Sequence, residues 1–206
     1  MAQTRLRLRK TPRQPRSARM VEAIIEAAAR ILETRGLAGF NTNAVAERAG
    51  ISVGSLYQYF PNKDALIAAL SDRERARLVI DIAAARPTGR HTLESALRQL
   101  VRAAIHRQIE RPELARMLDF EEQRLVLDAA DRTVTGTIAK EISALLRTHR
   151  YRIRVTDIDE VAFDLIAVAR ALIDSAASRG PIEPDVLEDR VVRTALGYLT
   201  SRANVR

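Results

Sequence analysis

Five consecutive residues, Gly50-Ile51-Ser52-Val53-Gly54, spell G-x-S-x-G, the pattern that lifts a nucleophilic serine above the sheet of a hydrolase. That chemistry has requirements. It needs a strand before the serine, further strands to build the sheet, and a histidine to take the hydroxyl proton. The preceding residues, "NAVAERA", follow a helical pattern without a β-branched run, and no other segment offers strands for such a sheet. The three histidines, His91, His106 and His149, fall in helical patterns with no supporting motif. The same letters also make a turn between two helices. Gly50 would adopt the left-handed conformation that ends the first helix, Ile51 would plug the turn, and Ser52 would cap the second. The hydrolase reading fails on its flanks.

The helix that would follow, "SVGSLYQYF", ends at Pro61. At about 100° per residue, Val53, Leu56 and Phe60 share one face, with Gly54, Ser55 and Gln58 opposite and Tyr57 and Tyr59 flanking. So short a helix is unstable alone, and two aromatics beside a polar face suit something pressed against a surface. Gln58 is long enough to reach a base or a phosphate. Lys63 opens the next helix, where a cation opposes the helix dipole. It becomes sensible if a phosphate docks there.

The charge distribution points the same way. Residues 1–63 hold 11 Lys and Arg against 4 Asp and Glu, whereas the rest hold 23 against 22. A basic end on a nearly neutral body is what a polyanion-binding segment looks like. Residues 1–16, "MAQTRLRLRKTPRQPR", contain no acid and two prolines and read as a disordered basic arm, the prolines arguing against an amphipathic transit helix. The chain has no cysteine, which excludes disulfides, thiol catalysis and cysteine-ligated metals. No apolar run approaches the roughly 20 residues that span a bilayer, so no membrane partner is expected and a cytoplasmic location is.

Elsewhere the periodicity is helical. "SARMVEAIIEAAARILETRG" places Val21, Ile24, Ile25, Ala28, Ile31 and Leu32 on one stripe, with Ser17 as cap and Gly36 as stop. A short helix follows, capped by Asn41 or Thr42, and a long one begins at an Asn62 cap and runs to about Ala85. Further helices are predicted at about 92–110, 112–128, 131–149, 157–178 and 185–201. "RYRIRV" alternates like a strand but has no partner and reads as a connection. The expected fold is all-α: the arm (1–16), a three-helix helix-turn-helix DNA-binding domain (17–63) and a further helical domain (64–206).

Ile24 to Leu70, "IIEAAARILETRGLAGFNTNAVAERAGISVGSLYQYFPNKDALIAAL", closely resembles the N-terminal domain of TetR-type transcriptional regulators. The resemblance rests on Ala49-Gly50-Ile51-Ser52, Gly54, Leu56-Tyr57, Tyr59-Phe60, Lys63 and Leu66 at fixed spacing. Phe40-Asn41 departs from it, since the family often has Thr or Ser there. The resemblance implies a homodimer, each subunit laying its third helix into the major groove of one half-site of a double-stranded DNA operator. It also implies a small-molecule effector that relieves repression. Position by position, Val53, Gly54 and Ser55 would approach base edges, while Tyr57, Tyr59, Lys63, Asn41 and Thr42 would hold phosphates.

The C-terminal half carries no diagnostic motif. The pattern at 157–178 is apolar almost all round, and 185–201 carries a similarly wide stripe. A soluble helix of that kind must be covered on both sides. An intersubunit four-helix bundle through Leu165, Ala169, Leu172, Val192, Leu196 and Leu199 would cover it, and so would burial within one chain. Candidate pocket residues are Met117, Phe120 and Phe163, with His106 or Arg124 as polar handles. No metal or cofactor motif is present, so no cofactor is expected. The leading expectation is a ligand-responsive repressor and not an enzyme. Its alternatives are an activator or ligand-independent regulator, and a helical enzyme or carrier, against which the missing acid/base pairs stand.

Overall fold

The computed structural model describes residues 6, 9–10, 14–125, 128–181 and 183–201, with side chains at all of these except 107, 122–123 and 128–132. Among the described residues the protein is all-α and has no strand. The helices are α1 (Pro15–Gly39), α2 (Thr42–Arg48), α3 (Val53–Tyr59), α4 (Lys63–Ala84), α5 (Leu93–Glu110), α6 (Pro112–Leu125), α7 (Asp128–Thr148), α8 (Ile158–Ala177) and α9 (Pro184–Thr200). A 3-10 turn at Arg150–Arg152 opens the "RYRIRV" segment. That segment is a connection, and its Arg154 N–H donates to the Leu199 carbonyl at 2.8 Å.

Helix α1 starts earlier than the Ser17 cap implied. Pro15 occupies its first position, where a missing N–H costs nothing, and the Ser17 hydroxyl accepts the Gln14 N–H at 3.2 Å inside the first turn. Gly36, at φ +60°, interrupts the helix where a stop was expected. A side chain there would be strained, and a short turn carries on to Gly39.

Two compact units form, one from residues 1–74 and 113–128, the other from 75–112 and 129–206. This division differs from the expected boundary at 63/64. The reason lies in the core of the first unit. Leu66 and Leu70 of α4 and Leu114 and Leu118 of α6 are buried with Ile24, Ile31 and Leu32 of α1 and Leu56 of α3. Ion pairs fasten α4 to α1: the largely buried Arg73 reaches Glu22 (3.1 Å) and Glu26 (3.0 Å) as well as its neighbour Glu74 (2.8 Å).

In the second unit α5, α8 and α9 pack on one another, with Leu97, Ile105, Leu146, Val161, Val191 and Val192 among the buried residues. Glu188 is buried there as a paired carboxylate, 2.8 Å from Arg102 and 3.2 Å from Arg98. Removing both arginines would strand a charge, which is strongly destabilising. His91 lies in the loop before α5 and His149 just after α7, outside the helices expected to carry them. Their rings sit 5.1 Å apart, and His149 Nε2 meets the His91 carbonyl at 3.3 Å. These are packing histidines.

Of the six residues expected at an intersubunit seam, three are buried inside the chain and three are partly buried against its core. Val192 and Leu199 are 0% exposed, Leu165 is buried, and Ala169, Leu172 and Leu196 pack against the same core. Helix α5 provides the cover that the wide stripes require. What α8 and α9 leave outward is a different set, in which Phe163, Val168, Val186 and Tyr198 are the large apolar members.

Candidate nucleic-acid interface

The outward side of α2 and α3 is built by three caps and one turn. Asn41 Oδ1 accepts the Ala44 N–H at 2.9 Å and starts α2. Gly50, at φ +68°, turns the chain, and the Ile51 N–H donates to the Ala46 carbonyl at 3.0 Å. Ser52 Oγ accepts the Ser55 N–H at 3.1 Å and starts α3. Asn62 Oδ1 does the same for Ala65 at 2.8 Å and starts α4. Each cap satisfies an amide that the helix itself cannot.

Ser52 is therefore structural. Its hydroxyl engages the Ser55 amide and, at 2.8 Å, the Ser55 hydroxyl, between two helices with no sheet beneath. Ser52→Ala is expected to cost about 0.5–2 kcal/mol, the usual loss for an N-cap, in a urea titration. Stoichiometric labelling of Ser52 by a fluorophosphonate is the outcome that would restore the hydrolase reading.

Helix α3 turns Leu56, Tyr59 and Phe60 into the core. Tyr59 is only 8% exposed, so it does not flank the polar face as expected. At 100° per residue its ring lies between Leu56 and the edge of the buried arc, and the core takes it. Val53, expected on the core face, is outward at the first turn. The exposed face consists of Gly54 and Gln58 at its centre with Val53 and Tyr57 on one flank, and Ser55, half-buried against its own cap, on the other.

One polar pair on this surface joins two helices. The Tyr57 hydroxyl lies 3.1 Å from Thr42 Oγ1 at the start of α2. Both had been expected to hold phosphates, and the fold brings them together. Lys63 is exposed at the first position of α4, and Asn41 is exposed at the α2 cap. One contact escaped the sequence: the Arg9 N–H donates to the Tyr59 carbonyl at 2.8 Å, placing the exposed Arg9 and Lys10 at the end of α3. Arg5, Arg7 and Arg13 of the expected disordered arm lie outside the described residues.

The pocket candidates fare differently. Met117, Phe120 and Arg124 belong to the first unit, His106 and Phe163 to the second. Phe120 is 61% exposed and Phe163 48%, because Leu114, Ala115 and Leu118 take the buried side of α6, and Val161, Ala162 and Leu165 that of α8. Met117 is half-buried. His106 pairs with Glu110 on its own helix at 3.1 Å. Arg124 is committed to Asp64 and Glu121. Among the described residues no group of three or more His, Asp or Glu could hold a metal ion, and no helix is long and apolar enough to cross a membrane.

Two short capped helices at a glycine turn, the second with a small outward residue between hydrogen-bonding side chains, define a helix-turn-helix module. The comparisons agree and extend to the rest of the chain. Residues 24–70 match the signature described as bacterial regulatory proteins, tetR family, and residues 92–199, more than half of the chain, match the tetracyclin repressor-like C-terminal domain. The chain belongs to the TetR family of transcriptional regulators.

Among curated proteins it is 37% identical over 91 residues to the HTH-type transcriptional repressor KstR of Rhodococcus jostii, a match covering 44% of this chain and 41% of that one. It is 41% identical over 68 residues to the HTH-type transcriptional regulator EthR of Mycolicibacterium smegmatis, covering 31% of each. The matched segments thus span well under half the length of these relatives. Among solved structures, the fatty acid degradation regulator FadR from Bacillus halodurans superposes with a TM-score of 0.73 at 20% identity, covering 93% of this chain and all of that one. A TetR-like transcriptional regulator from Rhodococcus sp. RHA1 gives 0.65 at 24% identity, covering 91% and 97%. At these identities the likeness is one of fold.

Proposed function

We propose that this protein is a transcriptional repressor that binds a double-stranded DNA operator as a homodimer and leaves it on binding a small-molecule effector. The observation that carries the DNA-binding reading is the Thr42–Tyr57 hydroxyl pair beside the outward face of α3. Two hydroxyls held 3.1 Å apart are pre-set to bond one phosphate, while Val53, Gly54 and Gln58 face the bases. Repression is supported by the Rhodococcus jostii relative, whose name describes a repressor. The tetracyclin repressor-like C-terminal domain supports an effector site within residues 92–199. For the homodimer, the outward apolar face of α8 and α9 is the candidate, centred on Phe163, Ala167 and Ala171 with Gly197 and Tyr198. The Tyr198 hydroxyl donates to Asp164 at 2.5 Å, bracing α9 to α8. That hydrogen bond raises the phenol above its usual range.

The test separates holding from reading. A duplex is selected by the wild-type protein from a random-sequence pool, and binding is measured over its single-base variants. Tyr57→Phe is expected to weaken all variants alike, by about 0.5–1.5 kcal/mol for one lost hydrogen bond. Gln58→Ala is expected to erase discrimination of about 1–3 kcal/mol at one position per half-site. If both folded variants bind like the wild type, α3 is not the reader and the reading falls.

A further inference from the structure

Arg124 was expected to be a polar handle for an effector, and the structure gives its guanidinium a different occupation. Near the end of α6, Arg124 Nη2 lies 2.6 Å from Asp64 Oδ1 and 2.6 Å from Glu121 Oε2. Both carboxylates are mostly covered, at 18% and 7% side-chain exposure. Hydrogen bonds to Glu121 and then Asp64 raise the guanidinium above its already high range. Asp64 is the second residue of α4, directly after Lys63.

This location sets up a conflict. A carboxylate in the first turn favours the helix, but beside a phosphate-binding lysine it would repel the phosphate. We infer that Arg124 is a positioning residue for DNA binding. It offsets part of the Asp64 charge and holds that carboxylate turned toward α6, so that Asp64 opposes a phosphate at Lys63 and the α4 N-terminus less. The inference rests on the DNA-binding reading. It adds that a residue of α6, remote in sequence from the helix-turn-helix, sets the affinity.

The experiment uses the full chain and a duplex selected by the wild type from a random-sequence pool, with binding read by fluorescence anisotropy over a salt series. Because losing Arg124 also strands Glu121, the comparison is made in E121Q, and every affinity is read relative to that variant. E121Q/R124Q is expected to bind about tenfold more weakly, the scale of one unneutralised charge a few ångströms from a phosphate. Adding D64N should return affinity to within about twofold, which a merely structural role for Arg124 would not do. D64N alone changes one atom of the side chain, is expected to fold, and should bind more tightly, since one carboxylate charge beside Lys63 is removed while Glu121 still holds Arg124. Unchanged binding by D64N, or a failure of D64N to rescue E121Q/R124Q at matched thermal stability, overturns the role of Arg124 and leaves the DNA-binding reading intact. If the wild type selects no duplex, that reading fails and this inference with it.

Discussion

Ala167→Glu is expected to convert the protein to folded monomers and to abolish high-affinity operator binding. Phe163, Ala167 and Ala171 are four residues apart on α8 and exposed, so they form one row on the helix surface. A symmetric interface places every residue of such a row in the seam twice. Two unpaired carboxylates buried there would cost several kcal/mol, enough to raise the dissociation constant of the dimer by a hundredfold or more. Leu172→Glu makes the instructive contrast. Leu172 packs against the core of its own unit, so that change should unfold the unit and not merely separate one subunit from its partner. Sedimentation velocity with circular dichroism on both variants distinguishes the outcomes. A folded Ala167→Glu dimer would move the interface off this face.

Gly54→Leu should separate stability from function in the opposite direction. Gly54 is exposed in α3, and a Cβ there would meet only Ser52 Oγ, at 3.9 Å, an ordinary contact. Gly54 is the second residue of α3, where the interior preference for leucine over glycine of roughly 0.5–1 kcal/mol is an upper bound, so the thermal midpoint should hold or rise slightly. An isobutyl group at the centre of the outward face would nevertheless keep α3 from the groove floor. Binding to the selected duplex should fall by about a hundredfold, equivalent to roughly 2.7 kcal/mol. Retained binding by a folded Gly54→Leu protein would mean that this face does not approach DNA.

What could be read in the sequence was mostly local. Asn41, Ser52 and Asn62 cap the helices they were expected to cap, because a cap is a relation between residues two or three apart. Gly50 carries the turn for the same kind of reason. Errors arose wherever the partner was distant. Helix α8 is apolar nearly all round, and periodicity could not say whether α5 or a second subunit covers Leu165 and Leu172. Tyr59 sits at the border of the buried arc of α3, where a few degrees decide between core and surface. Arg124 is 60 residues from Asp64, and no local pattern announces that pair. The compact units depart from the 63/64 boundary for a like reason, since α6, far along the chain, joins the first core.

Helices α2 and α3 have seven residues each. Helices of that length do not persist in water without tertiary support. Their ladder amides should therefore exchange with solvent only when the whole first unit opens, giving Leu56 and Ala46 the same protection as Ile31 in α1. A pair of helices held in this way has no half-formed state. Heating should remove it in one step with its core, and a protease that cuts within α3 will act on the unfolded fraction alone.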